Sequence, residues 1–247
     1  MTSETTSWDV VIVGGGAAGL SAALILARAR RRVLVLDAGE PRNRFAPHMH
    51  GVLGHDGVSP LDLVAEGRRE VRAADGVIES ARVETLARTA GGGFELFTEA
   101  GARHLASRVV VATGIRDSLP DVPGLAEHWG RGAVACPYCD GYEARGTRIG
   151  VLLGSPAGMH KAQLLRAYSP DVTVFTGLSD GLPADDRTAL ARRGIRIDDR
   201  MIAAVTGDGE TLTGVEFGDG QHVALDVLFV DSTMTPLDEL LRQLDVE

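Results

Sequence analysis

"DVVIVGGGAAGLSAALILARARRRVLVLDAGE", residues 9–40, reads in order as strand, glycine turn, helix and strand. Residues 9–13 are a short apolar, β-branched run of the kind carried by a strand buried on both faces. Gly14, Gly16 and Gly19 follow at G-x-G-x-x-G spacing, and residues 17–29 are mostly strong helix formers. A second apolar run, residues 32–36, ends at Asp37. In such a unit Gly14 permits the tight turn, Gly16 lets the backbone approach a pyrophosphate, and Gly19 lets helix and strand pack closely. The first N–H groups of the helix are left for the phosphates. Asp37 stands 21 residues beyond Gly16, where a carboxylate accepts hydrogen bonds from a ribose. An acid there favours an unphosphorylated ribose, hence FAD or NAD over NADP. The bland alternative, a glycine-rich structural turn, does not explain the strand before, the helix after and the acid at this distance.

The rest of the composition narrows the class. At 247 residues the chain suits one large or two ordinary domains, and 44% hydrophobic with 24% charged residues reads as globular. A net charge of −9 and a single lysine, Lys161, argue against a nucleic-acid partner, whose binding needs clustered cations. Arg28, Arg30, Arg31 and Arg32 read as the solvated end of the first helix. The start "MTSETTSW" lacks the basic and apolar regions of a secretion signal. Residues 10–27 are uncharged and long enough to consider as a membrane span, but their glycine-rich centre belongs to the turn. Two cysteines cannot staple a secreted scaffold. The expectation is a cytoplasmic protein with no membrane and no nucleic acid.

Further along, "PRNRFAPHMHGVLGHDG", residues 41–57, is a long polar loop holding Arg42, Asn43, His48, His50 and His55. Its length suggests a ligand-covering role, against a plain surface loop. A helix is expected around residues 60–73. Stretches 76–89, 91–100 and 103–114 read as three strands joined by glycine-rich turns, the last ending in Thr113 and Gly114. Both cysteines lie in "ACPYCDGYE", residues 135–143. Three readings are open: a redox disulfide, part of a metal site, or two buried small hydrophobes. Zinc needs four ligands, so His48 and His50 would have to complete one CxxC. The segment is polar and turn-like rather than a core strand, so the redox pair is preferred and no metal is expected.

Residues 10–28, Asp37, "VVVATG" and "CPYCDGYE", in this order and spacing, resemble the thioredoxin-reductase-like flavoprotein disulfide reductases over essentially the whole chain. The resemblance implies an α/β fold of two Rossmann-like nucleotide-binding domains with parallel sheets, the first with an inserted β-meander. Residues 1–117 would form the FAD domain, 118–230 the pyridine-nucleotide-type domain carrying the cysteines, and 231–247 the start of a return to the FAD domain. FAD would be held by Gly14, Gly16, Ala17, Ala18, Gly19, Asp37, Asn43, His50, Thr113 and Gly114. Cys139 would face the flavin, Cys136 would exchange with the substrate, and Asp140 would move a proton. A homodimer is also implied, with a small dithiol or disulfide, or a thioredoxin-like protein, as partner.

Two departures from the family pattern shape the expected reaction. In "GSPAGM", residues 154–159, the second and third glycines of the motif become Pro156 and Met159, and Pro156 removes a backbone donor. Beyond it no arginine pair is placed to clasp a 2′-phosphate, and Asp180, Asp185 and Asp186 would repel one. NADPH is therefore doubtful. The chain resembles instead the gliotoxin- and holomycin-type dithiol oxidases, which share the C-x-x-C-x-G-Y-E form of residues 136–143. The expected function is oxidation of a small dithiol through FAD to oxygen. The alternatives are an NADPH-dependent thioredoxin-disulfide reductase and a non-catalytic nucleotide-binding protein. The family's segment returning to the FAD domain, with its "GD" turn, does not appear before residue 247, so the sequence reads as truncated there.

Overall fold

The computed structural model describes residues 7–155, 158–179 and 181–245. Pro156 and Asp180 thus lie outside the described residues. The chain divides into two compact units. Unit 1 comprises Met1–Arg44, Ser59–Arg116 and Thr235–Glu247, and unit 2 comprises Phe45–Val58 and Asp117–Met234. The assignment of segment 45–58 to unit 2 is absent from a reading of the chain in consecutive blocks.

Unit 1 contains β1 (Ser7–Val13), α1 (Ala17–Arg28), β2 (Val33–Asp37), α2 (Pro60–Ala73), β3 (Val77–Ser80), β4 (Val83–Arg88), β5 (Phe94–Thr98) and β6 (Arg103–Val111). The strands form one sheet in the order β3-β2-β1-β6-β5-β4. The first four are parallel, whereas β4, β5 and β6 are antiparallel neighbours, the inserted meander. Alternation along the strands sends side chains to opposite faces. Val10, Ile12, Val33 and Val35 pack with Leu20, Ala23 and Ala27 of α1 and Val71 of α2. Val11, Val13, Leu34 and Leu36 pack instead with Leu86 and Leu96 of the meander and with Leu240. All five residues of β2 are buried, which explains its unbroken apolar run. Stretch 76–89 is two strands rather than one, because the chain breaks at Ala81 and Arg82. There Ala81 N–H donates to the Asp37 carbonyl at 3.0 Å, ending the parallel edge strand β3 before the meander starts.

α2 begins where expected. Pro60 sits in the first turn, where its missing N–H costs nothing, and Ser59 caps the helix by accepting from Leu61 N–H at 3.3 Å.

Strand β7 (Ile115–Ser118) leaves unit 1. Unit 2 then contains β8 (Ala133–Val134), α3 (Pro137–Asp140), β9 (Ile149–Leu152), α4 (Met159–Leu165), β10 (Val172–Phe175), α5 (Ala184–Arg192), β11 (Arg196–Asp198), β12 (Ile202–Gly207), β13 (Leu212–Phe217), β14 (His222–Ala224) and β15 (Val227–Val230). A parallel sheet runs β11-β10-β9-β15-β8, and β12-β13-β14 form a separate antiparallel sheet. One face of the parallel sheet packs on α4 and α5 through Ala162, Leu165 and Leu190. The other packs on the three-stranded sheet through Val205, Val215 and Phe217. Both units therefore share one plan: three parallel strands laid outward, then a last strand returning beside the first. The chain re-enters unit 1 through β16 (Thr233–Pro236), which pairs with β7, and α6 (Glu239–Arg242). Gln243 then bonds to the open edge of β4, accepting from Leu86 N–H at 2.8 Å and donating to the Glu84 carbonyl at 2.9 Å.

Candidate functional site

In unit 1 the parallel register Val13↔Leu36 and Val13↔Val111 brings Gly14, Asp37 and Thr113 to the carboxyl ends of three adjacent strands. That edge is where open α/β sheets bind ligands. Gly14 has φ 104°, and a Cβ there would overlap the Ala112 carbonyl oxygen. A Cβ on Gly19 would overlap the Gly14 carbonyl oxygen, so close packing of α1 on the turn demands glycine. Gly16 differs, since a Cβ there would meet nothing within 4 Å. It is the N-cap of α1 and makes no side-chain cap bond, and Ala17 and Ala18 are exposed beside it. The first N–H groups of α1 have no partner inside the helix and face open space, the condition a pyrophosphate satisfies.

Asp37 is only 7% exposed. Its Oδ1 accepts Gly15 N–H at 2.9 Å, and its Oδ2 is bound by Arg68 of α2. Each oxygen keeps a lone pair for a ribose hydroxyl. Arg68 also lines a cleft of about 500 Å³ with Gly39, Pro41, Leu61 and Val64. Thr113 donates to the Leu237 carbonyl, and Leu237 N–H donates to Gly114 O at 2.9 Å. Asn43 is exposed in unit 1. These residues fit FAD. The sequence reading missed Arg68, because a salt bridge spanning 31 residues leaves no periodic trace.

In unit 2, β8 leads directly into the cysteine turn. Cys136 is the N-cap of α3, with Pro137 in the first turn. Cys139 and Asp140 N–H groups both donate to the Cys136 carbonyl at 3.1 Å, closing one helical turn between the thiols. Cys136 is half-buried and Cys139 exposed, and the two are not joined as a disulfide. Gly141 ends the turn against the Tyr168 ring, 2.8 Å from where a Cβ would lie.

Asp140 is half-buried and lines a cavity of about 280 Å³ with His50 and Glu143. Burial, reinforced by the Glu143 carboxylate, pushes the Asp140 carboxyl up to about 6, while His50 opposes the rise. His50, grouped by sequence with the flavin ligands, thus lies in unit 2 near the cysteine turn. Among the described residues no group of three or more His, Cys, Asp and Glu side chains is arranged to hold a metal ion. None of the described helices is long and apolar enough to cross a membrane.

The second βαβ turn is built differently from the first. Asp231, at the end of β15, lies beneath it: Ser155 Oγ donates to Asp231 Oδ2 at 3.3 Å. Lys161 Nζ is 3.7 Å from Asp231 Oδ1 and donates to the Val230 carbonyl at 2.8 Å. Burial pulls the Lys161 ammonium below its ordinary value, with Asp231 opposing. At the end of β10, Thr176 and Arg187 are both tied to Asp199, and Arg200 is tied to Asp198. None of these contacts was anticipated from sequence.

Two parallel-sheet dinucleotide units, one with an open glycine cradle and one carrying a CxxC turn, define the two-domain disulfide oxidoreductases as a class. The chain belongs to the pyridine nucleotide-disulphide oxidoreductase family, whose model matches residues 8–247. The thioredoxin reductase tcpT of Claviceps purpurea (strain 20.1) is 34% identical over 230 residues, covering 89% of this chain and 72% of that protein. The crystal structure of HlmI is 41% identical with a TM-score of 0.94, covering 100% of this chain and 78% of that one. An oxidoreductase from Agrobacterium tumefaciens is 39% identical with a TM-score of 0.85, covering 93% and 76%. The protein is accordingly a thioredoxin-reductase-like flavoprotein disulfide oxidoreductase with FAD as its cofactor.

Proposed function

We propose that the enzyme oxidises a small dithiol to a disulfide and passes the electrons to oxygen, without drawing on NADPH. The supporting observation is the charge arrangement of the second βαβ unit. A dinucleotide would bring phosphates to its turn and to the end of β10. Asp231 sits at the first position and Asp199 at the second, and Arg187 and Arg200 are already bound to carboxylates. Desolvating phosphate there would require breaking these pairs.

In this reading Cys136 and Cys139 begin as a disulfide. One substrate thiol bonds to Cys136 sulfur as the S–S bond breaks, and its electron pair goes to Cys139. The second substrate thiol then displaces Cys136, releasing the substrate disulfide and leaving two cysteine thiols. Asp140 takes a proton from the attacking thiol and returns one to the leaving thiolate, the task of a carboxyl tuned toward neutrality. FAD, held by Gly14, Gly16, Ala17, Ala18, Gly19, Asp37, Asn43, Thr113 and Gly114, supplies the two-electron acceptance that re-forms the disulfide. The balance is one dithiol and one dioxygen in, one disulfide and one hydrogen peroxide out.

Anaerobic titration tests this. Dithiothreitol should bleach the flavin, and air should restore it with stoichiometric peroxide, while NADPH leaves the spectrum unchanged. Rapid bleaching by NADPH would overturn the proposal in favour of an NADPH-dependent thioredoxin reductase, the reading favoured by the name of the Claviceps relative. For the thiols, Cys139→Ser should keep FAD bound and lose any thiolate-to-flavin charge-transfer band. An unchanged band would reverse the two roles.

A further inference from the structure

We propose that His50 and Glu143 are positioning residues for Asp140, forming with it a cluster that carries protons between the cysteine turn and solvent. The inference rests on the reading of Asp140 as the proton-transfer group. His50 is delivered by a loop that closes on itself. Gly57 N–H donates to Met49 O and Met49 N–H to Val58 O, both at 2.9 Å, and Gly51 N–H donates to Asp56 Oδ1 at 2.9 Å. The closed loop sets His50 Nδ1 3.6 Å from Glu143 Oε1 and 3.6 Å from Asp56 Oδ1. This nitrogen is buried and has no hydrogen bond. At 3.6 Å a single water or a small ring rotation completes a link to either carboxylate. Glu143 follows Asp140 by three residues, and all three groups line the same 280 Å³ cavity.

Other charged groups around this cavity are committed elsewhere. Arg131 is bound to Glu210, Asp226 is bound by Arg148, and His48 Nδ1 bonds to the Gly57 carbonyl at 3.0 Å. On α4, which packs against α3, Lys161 is held by Val230 and Asp231; His160 of the same helix also has a partner. Glu143 and His50 both act on the Asp140 carboxyl, and they act in opposite directions. The imidazole favours the carboxylate and Glu143 favours the acid. During thiol–disulfide exchange the proton shed by the attacking thiol reaches Asp140, and the leaving thiolate recovers one. His50 and Glu143 connect that carboxyl to solvent, so no bond other than S–H, O–H, N–H and S–S changes.

The test is the titration of Asp140 by ¹³C NMR of aspartate-labelled holoenzyme, assigned by its loss in Asp140→Asn. It is run beside the pH profile of flavin bleaching by dithiothreitol. Glu143→Gln should lower the Asp140 midpoint, and His50→Gln should raise it, each by roughly half a pH unit or more. The kinetic profile should move with it. Flavin content and circular dichroism identify a variant that misfolds, and Glu143→Gln stands independently if His50→Gln does. Midpoints unmoved in both folded variants would overturn the proposal while leaving Asp140 in its role. A kinetic profile untouched by Asp140→Asn would instead remove the reading on which it rests.

Discussion

Replacing Asp140 by asparagine should stabilise unit 2 above neutrality while stopping proton transfer, because the native site penalises the charged carboxylate. In the folded protein this carboxyl titrates at about 6, against 3.8 for the ordinary group, chiefly through burial. The sign follows from proton uptake. Between these two values the native state holds a proton that the unfolded chain has lost, so stability falls as pH rises from about 4 to about 6. A shift of about 2 units corresponds to about 3 kcal/mol at full effect, and solvent screening of a half-buried group reduces it to about 2 kcal/mol. Asparagine has no such titration. Its own packing cost is the same at every pH and cancels when the two proteins are compared across pH.

The expected result is that Asp140→Asn gains about 2 kcal/mol relative to the parent protein between pH ~4 and pH ~7. Urea unfolding provides the assay. The chain has two tryptophans, Trp8 in unit 1 and Trp129 in unit 2. In a Trp8→Phe background, indole fluorescence therefore reports unit 2 alone. A stability difference that stays flat across that pH range would refute the claim that Asp140 is held protonated by its surroundings.

Other expectations concern unit 1. Gly19→Ala should yield protein without bound flavin and with a lowered melting temperature, because its methyl group overlaps the Gly14 carbonyl; retained yellow colour at normal stoichiometry would contradict this. Asp37→Asn should weaken FAD binding roughly tenfold, from the loss of a charge-assisted ribose contact worth ~1.5 kcal/mol, as read by fluorescence titration of apo-protein with FAD. Leu34→Ala, in a fully buried position facing the meander, should cost about 2–5 kcal/mol in chemical unfolding.

Residues 9–40 made the first βαβ unit legible because every local signal agreed: β-branched runs, glycines at fixed offsets, helix formers and a terminal acid. In the second unit the glycine motif at residues 154–159 is incomplete, yet it begins just after β9 and ends at the start of α4. The division of stretch 76–89 into β3 and β4 was not, because the break depends on Ala81 bonding to Asp37, far away in sequence. The three-stranded sheet β12-β13-β14 was overlooked too, its short strands being interrupted by glycines and polar turns. The cysteine pair and Asp140 announced themselves by spacing and residue type. Arg68, Asp231 and Glu143 did not, since their importance lies in the carboxylate or cation each one meets, and pairings such as 37 with 68 or 155 with 231 have no sequence period.

Unit 1 is discontinuous, and that orders events on the ribosome. β1 pairs with β2 early in synthesis, yet its other neighbour, β6, appears only some hundred residues later, and the face containing Leu34 and Leu36 awaits Leu240. Unit 2, apart from its short early segment, is translated entirely within that interval. It has its own core of buried residues, so it has the means to settle while the nucleotide-binding sheet still waits for α6. A stalled or nicked chain lacking residues 237–244 would leave the β4 edge, normally bonded by Gln243, exposed to pairing with another strand. Completion of the nucleotide-binding sheet therefore depends on residues 237–244, far in sequence from the glycine motif that receives the cofactor.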